Sequence, residues 1–239
     1  MIALVKKKAL AAAAVMAMVG GITAAETLSA DAATPECGDS CIKIYSAGYG
    51  SSQQPNLVET VYRGVARVGQ PTTMRPVSTS DPAGDIVGHR AGLVSDFHED
   101  GLVSAEVNQH YGSLRAVEVE YAPHGKRTGL CAGLAHTAYQ YEGLTLQKCG
   151  VSAQTVWIID TKDSPSTASQ GHFPLVNGST TNFDHPYAMT FHHDSYAHTG
   201  WRMGRSGHHR TAVPSQIRVA RLMGNPSHVP DSQLWGTTK

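Results

Sequence analysis

Apolar and polar side chains alternate along short stretches of this chain, a pattern typical of half-buried β-strands. The alternation is clearest over residues 114–121, where Val117 and Val119 fall on one face and Glu118 and Glu120 on the other. The same signal predicts strands at residues 42–45, 57–68, 187–191 and 216–222, and a continuous apolar run predicts a buried strand at residues 156–159. Clusters of Gly, Pro, Ser and Asn separate these stretches and predict turns. For residues 101–110 we expect at most one turn of helix.

One alternating segment recurs along the chain. Residues 144–149 (LTLQKC) have counterparts at residues 217–222 (IRVARL) and 72–77 (TTMRPV). When the segments are aligned, Leu146 falls on Met74 upstream and on Val219 downstream, at nearly equal separations. An internal repeat of short strands sets the architecture, so an all-β, pseudo-threefold barrel is predicted.

Tryptophan follows two of the three segments, as Trp157 and Trp235, and the apolar Val87 follows the third. We expect these side chains to point inward from equivalent strands and to fill a common core. The expected repeats cover roughly residues 42–95, 96–160 and 161–239.

The N-terminal segment, residues 1–32, has the pattern of a secretory signal peptide. Lys6, Lys7 and Lys8 precede an Ala-rich apolar run at residues 9–23, and small residues suited to cleavage follow it. A membrane anchor is the alternative, but the apolar run is short for a span of roughly 20 residues. We therefore expect a secreted, extracellular protein with a single domain at residues 33–239 and no membrane association after cleavage.

The charge is balanced, with 19 basic and 19 acidic side chains in the whole chain. Removing residues 1–32 takes away three Lys and two acids, which leaves 16 basic and 17 acidic groups. The charge of residues 33–239 is therefore close to neutral. Because nucleic acids and anionic membranes are bound by clustered Lys and Arg, neither is an expected partner.

The four cysteines are an even number in an expected oxidising compartment, and three pairings are possible. The spacing favours Cys37 with Cys41, which closes a tiny loop, and Cys131 with Cys149, which closes a longer one. A redox role for Cys37 and Cys41 is disfavoured because three residues separate them instead of two.

The segment from Cys131 to Cys149, followed by Gln154-Thr-Val-Trp157, resembles one unit of the ricin-type β-trefoil domains. Gln233-Leu-Trp235 has that family's Gln-x-Trp spacing, Gln154 is one residue further from its Trp, and Asp85-Ile86 is a degenerate copy. The chain also resembles secreted actinobacterial proteins. The resemblance implies twelve strands in three units.

The same resemblance implies non-catalytic carbohydrate binding, with an extracellular glycan as partner and one shallow pocket per unit. The family's sugar-binding Asp after the first Cys is missing, since Ala132 and Gly133 follow Cys131. Gln154 and Gln233 are expected to fix the fold. Asp160 is the weak candidate for ligand binding, on the assumption that it is exposed.

Thirteen histidines are present, and the densest run lies at residues 191–198. If that run were extended, His192, Asp194 and His198 would share one face and suit Zn²⁺ or Cu²⁺. A solvated polar loop is the alternative interpretation, and no cofactor is predicted.

No nucleophile elbow or zinc-protease motif occurs, so no catalytic residue is predicted. A hydrolase or metal-dependent enzyme is the least favoured function. The alternative to glycan binding is a secreted structural or protein-binding protein, such as an inhibitor that presents the loop at residues 163–171. The oligomeric state is not predicted.

Overall fold

The fold was analysed in a computed structural model that describes residues 37–51, 54–77, 80, 87–162, 165–192, 215–223 and 228–239. The strands are β1 Lys43–Ser46, β2 Leu57–Val61, β3 Thr72–Pro76, β4 Val87–Leu93, β5 Arg115–Tyr121, β6 Leu130–Gly133, β7 Thr145–Lys148, β8 Val156–Ile159, β9 Leu175–Asn177, β10 Tyr187–Thr190, β11 Arg218–Arg221 and β12 Trp235–Thr238. The α-helices are α1 Val94–Glu99, α2 Ala105–Tyr111 and α3 Pro165–Ala168. The short 3-10 helices include Gly38–Ser40, Ala47–Tyr49, Tyr62–Gly64, Pro123–Gly125, Ala153–Thr155 and Asp231–Gln233.

Six strands close a barrel. Antiparallel pairing joins β4 to β5, β5 to β8, β8 to β9, and β12 to β1. Single bridges complete the circle, one between Ile42 and Val87 and one between Phe173 and Trp235. The remaining six strands form three hairpins, β2–β3, β6–β7 and β10–β11.

The three hairpins meet in a cyclic set of backbone hydrogen bonds. Thr72 N–H donates to Leu144 O at 3.0 Å, Leu144 N–H to Ile217 O at 2.8 Å, and Ile217 N–H to Thr72 O at 3.1 Å. These three residues are the first positions of the three aligned segments, so the cycle has the spacing predicted from the sequence repeat. A barrel with three hairpins related by this cycle is a β-trefoil, so the predicted fold class is confirmed.

The two tryptophans of the repeat, Trp157 and Trp235, lie in the barrel core, where neither is exposed. The Trp157 Nε1–H donates to the Ala132 carbonyl and the Trp235 Nε1–H to the Met189 carbonyl, each at 2.9 Å. Burying an indole requires a partner for its single N–H donor. The repeat therefore conserves a hydrogen bond in the core as well as a bulky side chain in two of its three units.

The helices differ from the sequence prediction, which allowed at most one turn at residues 101–110. In the structure, α1 and α2 cover the outside of the sheet, and Val94, Phe97, Val107 and Tyr111 are buried there. The Ser104 hydroxyl accepts a hydrogen bond from the Val107 amide at 3.2 Å and caps α2. This N-cap satisfies an otherwise unpaired donor, so a short helix persists where its propensity alone is low.

Strand β2 is also shorter than the predicted 57–68, because the chain turns directly after Val61. Arg63 and Gly64 both take left-handed backbone conformations in this turn, at φ 59° and 64°. No strand continues through such residues, so the apolar alternation beyond Val61 belongs to the loop that leads to β3.

Both favoured disulfides form, and the pairing of Cys37 with Cys41 and Cys131 with Cys149 is confirmed. Residues 1–32, the predicted signal peptide, lie outside the described residues. Among the described helices, none has the length and hydropathy needed to cross a membrane. Thr34–Lys239 forms one compact unit, while the exact repeat boundaries stay a prediction.

Candidate ligand cavity

An open cavity of about 640 Å³ lies beside the β2–β3 hairpin. Its described lining consists of residues 60–64, residues 73–75, Tyr121, Pro123, His124 and Ser215. The turns after β2 and after β5 thus form two of its walls. A volume of this size is in the range of sites for small molecules or for one or two sugar rings.

The backbone is strained around this cavity. Arg63, His124 and Ser215 have left-handed conformations at φ 59°, 54° and 58°. Non-glycine residues adopt this region at a cost of roughly 1–3 kcal/mol each, and such residues cluster at ligand sites. Only one other non-glycine residue in the described chain, Tyr141, has positive φ. Three of these four strained positions therefore surround one cavity.

The lining combines an aromatic ring with hydroxyl groups. Thr60 and Thr73 are paired across β2 and β3, and both line the cavity. Tyr62 is half-buried, and its backbone is fixed by a hydrogen bond from its amide to Pro71 O at 2.9 Å and by the Gln70 side-chain amide, which donates to Tyr62 O. These contacts hold the tyrosine beside the cavity before any ligand arrives.

The lining is also basic. It contains the guanidinium groups of Arg63 and Arg75 and the imidazole of His124, and no Asp or Glu occurs among its described residues. The Arg63 guanidinium carbon lies 5.1 Å from the centre of the Tyr62 ring. A ring contact does not neutralise a guanidinium, and no described carboxylate pairs with Arg63. Arg63 can therefore donate its N–H groups to a ligand.

The corresponding place in the last repeat is closed by aromatic rings. Tyr45 and Glu120 are equivalent, since each pairs with the second residue of the following strand. Tyr49 and His124 each stand four residues further along and are therefore equivalent too. Tyr49 packs edge-on against Phe191, with the ring centres 5.4 Å apart. A ring pair therefore fills the space that is open beside His124.

A loop closes the corresponding place in the middle repeat. Val176 of β9 is the equivalent of Glu120, and Ser179 stands three residues after it. The Ser179 hydroxyl accepts a hydrogen bond from the Ala138 amide at 3.2 Å, and Ala138 is buried in the core. The β6–β7 loop thus packs onto this turn, so the first repeat differs from both of the others.

Asp160, the weak ligand-binding candidate, is not on the surface. It is only 1% exposed, and one of its carboxylate oxygens accepts the Lys162 amide at 3.0 Å. The expectation of exposure was wrong because the residue after β8 still lies under the chain, where its own amide donates to Pro174 O. A ligand role for Asp160 stays an untested prediction.

The candidate metal ligands lie mostly outside the described residues. His192 is described and half-buried, whereas Asp194 and His198 belong to residues 193–214, which are not described. Among the described residues, no group of three or more His, Cys, Asp or Glu side chains suits a metal ion. The metal-site hypothesis at residues 192–198 therefore stays untested.

Gln233, the glutamine before the last tryptophan, forms hydrogen bonds within the fold. Gln233 is buried; its amide donates to the Thr190 hydroxyl and to Arg221 O, both at 3.0 Å, and its oxygen accepts the Met223 amide at 2.8 Å. In the middle repeat the same place, two residues before Trp157, belongs to Thr155, whose hydroxyl donates to Glu118 at 2.7 Å. Thr155, and not Gln154, therefore takes the position of Gln233 in the middle repeat.

The residues that line the cavity were not among the predicted site residues. A local signal was nevertheless present, since a basic residue and a glycine follow each of the two strands that end at the cavity. These are Arg63-Gly64 after β2 and His124-Gly125 after β5. Basic-Gly pairs at strand ends indicate tight turns that present a cation, but their proximity depends on the fold.

No protein-family model matches the chain, and no curated protein matches it. Several solved structures are similar, including the following three. A designed threefold-symmetric protein, ThreeFoil, has a TM-score of 0.48 and 11% identity, over 84% of this chain and 99% of that one. The mdaA-1 domain gives 0.44 and 12% over 82% and 88%, and a Caenorhabditis elegans protein of unknown function gives 0.38 and 11% over 83% and 92%. The chain is a β-trefoil by its own strand pairing, and these similarities assign it to no family.

Proposed function

We propose that this protein is a secreted, non-catalytic binding protein that binds an extracellular glycan in the cavity beside the β2–β3 hairpin. The observation that carries the proposal is the asymmetry of the three repeats. Tyr49 and Phe191 fill one equivalent place and the Ala138–Ser179 contact closes another, while the first repeat keeps an open cavity. The other two repeats show that packing can fill this place. We therefore attribute the open cavity of the first repeat to ligand binding.

The cavity lining supports a saccharide as the ligand. A sugar presents hydroxyl groups around its edge and C–H groups on its faces. The hydroxyls of Thr60 and Thr73 can exchange hydrogen bonds with the edge, and the Tyr62 ring can pack on a face. Hydrolysis of a glycosidic bond uses a pair of carboxyl groups. The described lining supplies donors and a ring but no carboxyl, which supports binding without cleavage.

The two disulfides support the extracellular part of the proposal. All four cysteines of the chain are paired, as Cys37–Cys41 and Cys131–Cys149. Structural disulfides persist in oxidising compartments and are rare in reducing ones.

Binding to a panel of soluble polysaccharides tests the proposal, with Tyr62→Ala as the variant and Tyr139→Ala as its control. Tyr139 is 48% exposed and lies outside the described cavity lining, so both variants lose one tyrosine. We expect Tyr62→Ala to weaken binding roughly tenfold or more, as the loss of a stacked ring does, and Tyr139→Ala to leave it unchanged.

Thermal melts of both variants verify that they stay folded. If no polysaccharide binds, or if Tyr62→Ala binds as tightly as the parent protein, glycan binding at this cavity is wrong. A partner that is captured but not released by free oligosaccharide would favour the alternative function, a secreted protein-binding or inhibitory protein.

A further inference from the structure

The cavity concentrates positive charge on a protein that is neutral overall. The whole chain has 19 basic and 19 acidic side chains. Arg63 and Arg75 nevertheless line the same cavity, together with His124 and with no described acidic residue in the lining. The basic character is therefore a local property of the site and not a general property of the surface.

Other arginines nearby are neutralised within the protein. The Arg127 guanidinium donates to the Glu120 carboxylate at 2.6 Å, although Arg127 stands only three residues after His124. Arg90 forms an ion pair with Asp100. For Arg63, by contrast, the described residues contribute a tyrosine ring at 5.1 Å and no carboxylate. Arg90 and Arg127 are thus each paired with a carboxylate, whereas the described residues provide none for the exposed Arg63.

The backbone fixes the place where this charge is presented. Arg63 is exposed at the centre of the Tyr62–Gly64 turn, in a left-handed conformation that a glycine would adopt without strain. Because the exposed Arg63 side chain fills no space in the core, packing does not compensate for the strain at this position. A ligand that needs a guanidinium at this point provides a reason.

We propose that the glycan bound in this cavity is acidic, and that its carboxylate or sulfate group is held by Arg63. This inference rests on the proposed function. A guanidinium offers paired N–H donors in a plane, which match the oxygens of a carboxylate or a sulfate. The Tyr62 ring and the threonine hydroxyls then contact the sugar to which the anionic group is attached.

Titration calorimetry with four kinds of polymer tests the inference. The polymers are a polyuronate, a sulfated glucan, an unsulfated glucan and single-stranded DNA. We expect one or both of the acidic polysaccharides to bind at least tenfold tighter than the neutral glucan, as one charge-assisted hydrogen bond provides. Binding of the preferred polymer should weaken as salt is raised, because the arginine is exposed. The first two polymers show whether the anion is a carboxylate or a sulfate.

Arg63→Gln and Arg115→Gln are the matched variants. Each removes one exposed arginine from the chain, but Arg115 opens β5 and lies outside the described cavity lining. Arg63→Gln should lose roughly tenfold to a hundredfold in affinity for the acidic polysaccharide and little for the neutral one. Arg115→Gln should bind like the parent protein.

Arg63→Gly distinguishes a ligand-binding arginine from a structural one. Glycine removes the charge and also relieves the left-handed strain, so this variant should melt a few degrees higher while losing affinity as Arg63→Gln does. A structural role predicts the opposite, a lower melting temperature.

The outcomes separate the two proposals. Equal affinity for acidic and neutral polysaccharides, with sensitivity to Tyr62→Ala, overturns the acidic ligand and keeps glycan binding. The absence of any saccharide binding overturns both. DNA binding as tight as that of the acidic polysaccharide overturns the acidic-glycan inference in favour of a general polyanion site.

Discussion

At the residue scale, a carboxyl group occupies a core position. Glu59 of β2 pairs with Met74, as Ala132 pairs with Leu146 and Met189 with Val219 in the other repeats. Glu59 is 2% exposed, and one of its carboxyl oxygens has no hydrogen-bond partner in the described structure. Burial without compensation disfavours the charged form and raises the pKa of Glu59 from 4.5 to about 8. Glu59 is therefore protonated in the folded protein at neutral pH.

This burial predicts a pH-dependent stability. Below pH 4.5 the carboxyl is protonated in both the folded and the unfolded chain, so Glu59 does not lower the free energy of unfolding there. Between pH 4.5 and about 8 the unfolded chain releases the proton while the folded chain keeps it. The free energy of unfolding should then fall by up to about 1.4 kcal/mol per pH unit. Urea unfolding of the parent protein and of Glu59→Gln at several pH values measures the difference between them.

The difference isolates Glu59, because all other groups titrate in both proteins. The parent should lose stability relative to Glu59→Gln as the pH rises from about 5 to about 8, in the range set by the raised pKa. Parallel curves would contradict the assignment of a buried, neutral acid. Glu59→Met, which copies Met189 of the last repeat, should equal or exceed the parent in stability at neutral pH, since the apolar side chain has no proton to lose.

At the element scale, the disulfides stabilise loops of very different size. Cys131 lies in β6 and Cys149 directly follows β7, so their bond closes the hairpin that carries the middle repeat. The chain-entropy estimate is about 3 kcal/mol for this separation of 18 residues and about 2 kcal/mol for the separation of four at Cys37–Cys41.

We expect the double variant Cys131→Ala/Cys149→Ala to unfold at lower urea concentration than Cys37→Ala/Cys41→Ala, with both below the parent. Urea unfolding monitored by tryptophan fluorescence measures all three, since both core indoles are buried. An equal or larger loss for the small loop would show that strand packing, and not loop closure, sets the contribution of these bonds.

The sequence predicts an element well where burial in the core requires a periodic pattern of apolar residues. It predicts an element poorly where a single local contact determines whether the element forms. The alternation over residues 114–121 and 187–191 identifies β5 and β10, since alternate side chains such as Val119 and Met189 enter the core. Helix α1 lacks such a signal. It begins after Leu93 with an Asp96 carboxylate that accepts the Leu93 amide at 2.7 Å, and tertiary packing of Phe97 maintains it. A capping contact and one buried ring leave no periodic trace in so short a helix.

At the scale of the whole molecule, the threefold architecture was predictable and the cavity was not. The near-equal spacing of Met74, Leu146 and Val219 reflects the burial of an apolar side chain at the same position in each unit. The cavity arises where the units differ. Its basic residues come from separate parts of the chain, and only the pairing of β4 with β5 and of β2 with β3 brings their turns together. The amino-acid composition therefore cannot predict that these basic residues lie together.

The cyclic hydrogen bonds predict that the three repeats unfold as one unit. The amides of Thr72, Leu144 and Ile217 each donate to another repeat, so releasing any one of them breaks contact with a neighbouring repeat. Native-state hydrogen exchange should then give these three amides the same opening free energy, equal to the global free energy of unfolding. The Ser169 amide, in the exposed turn after α3, should exchange at far lower cost and serves as the comparison. If Ile217 opens more easily than Thr72 and Leu144 by more than about 1 kcal/mol, the last repeat is a separate cooperative unit and the cycle does not couple the three.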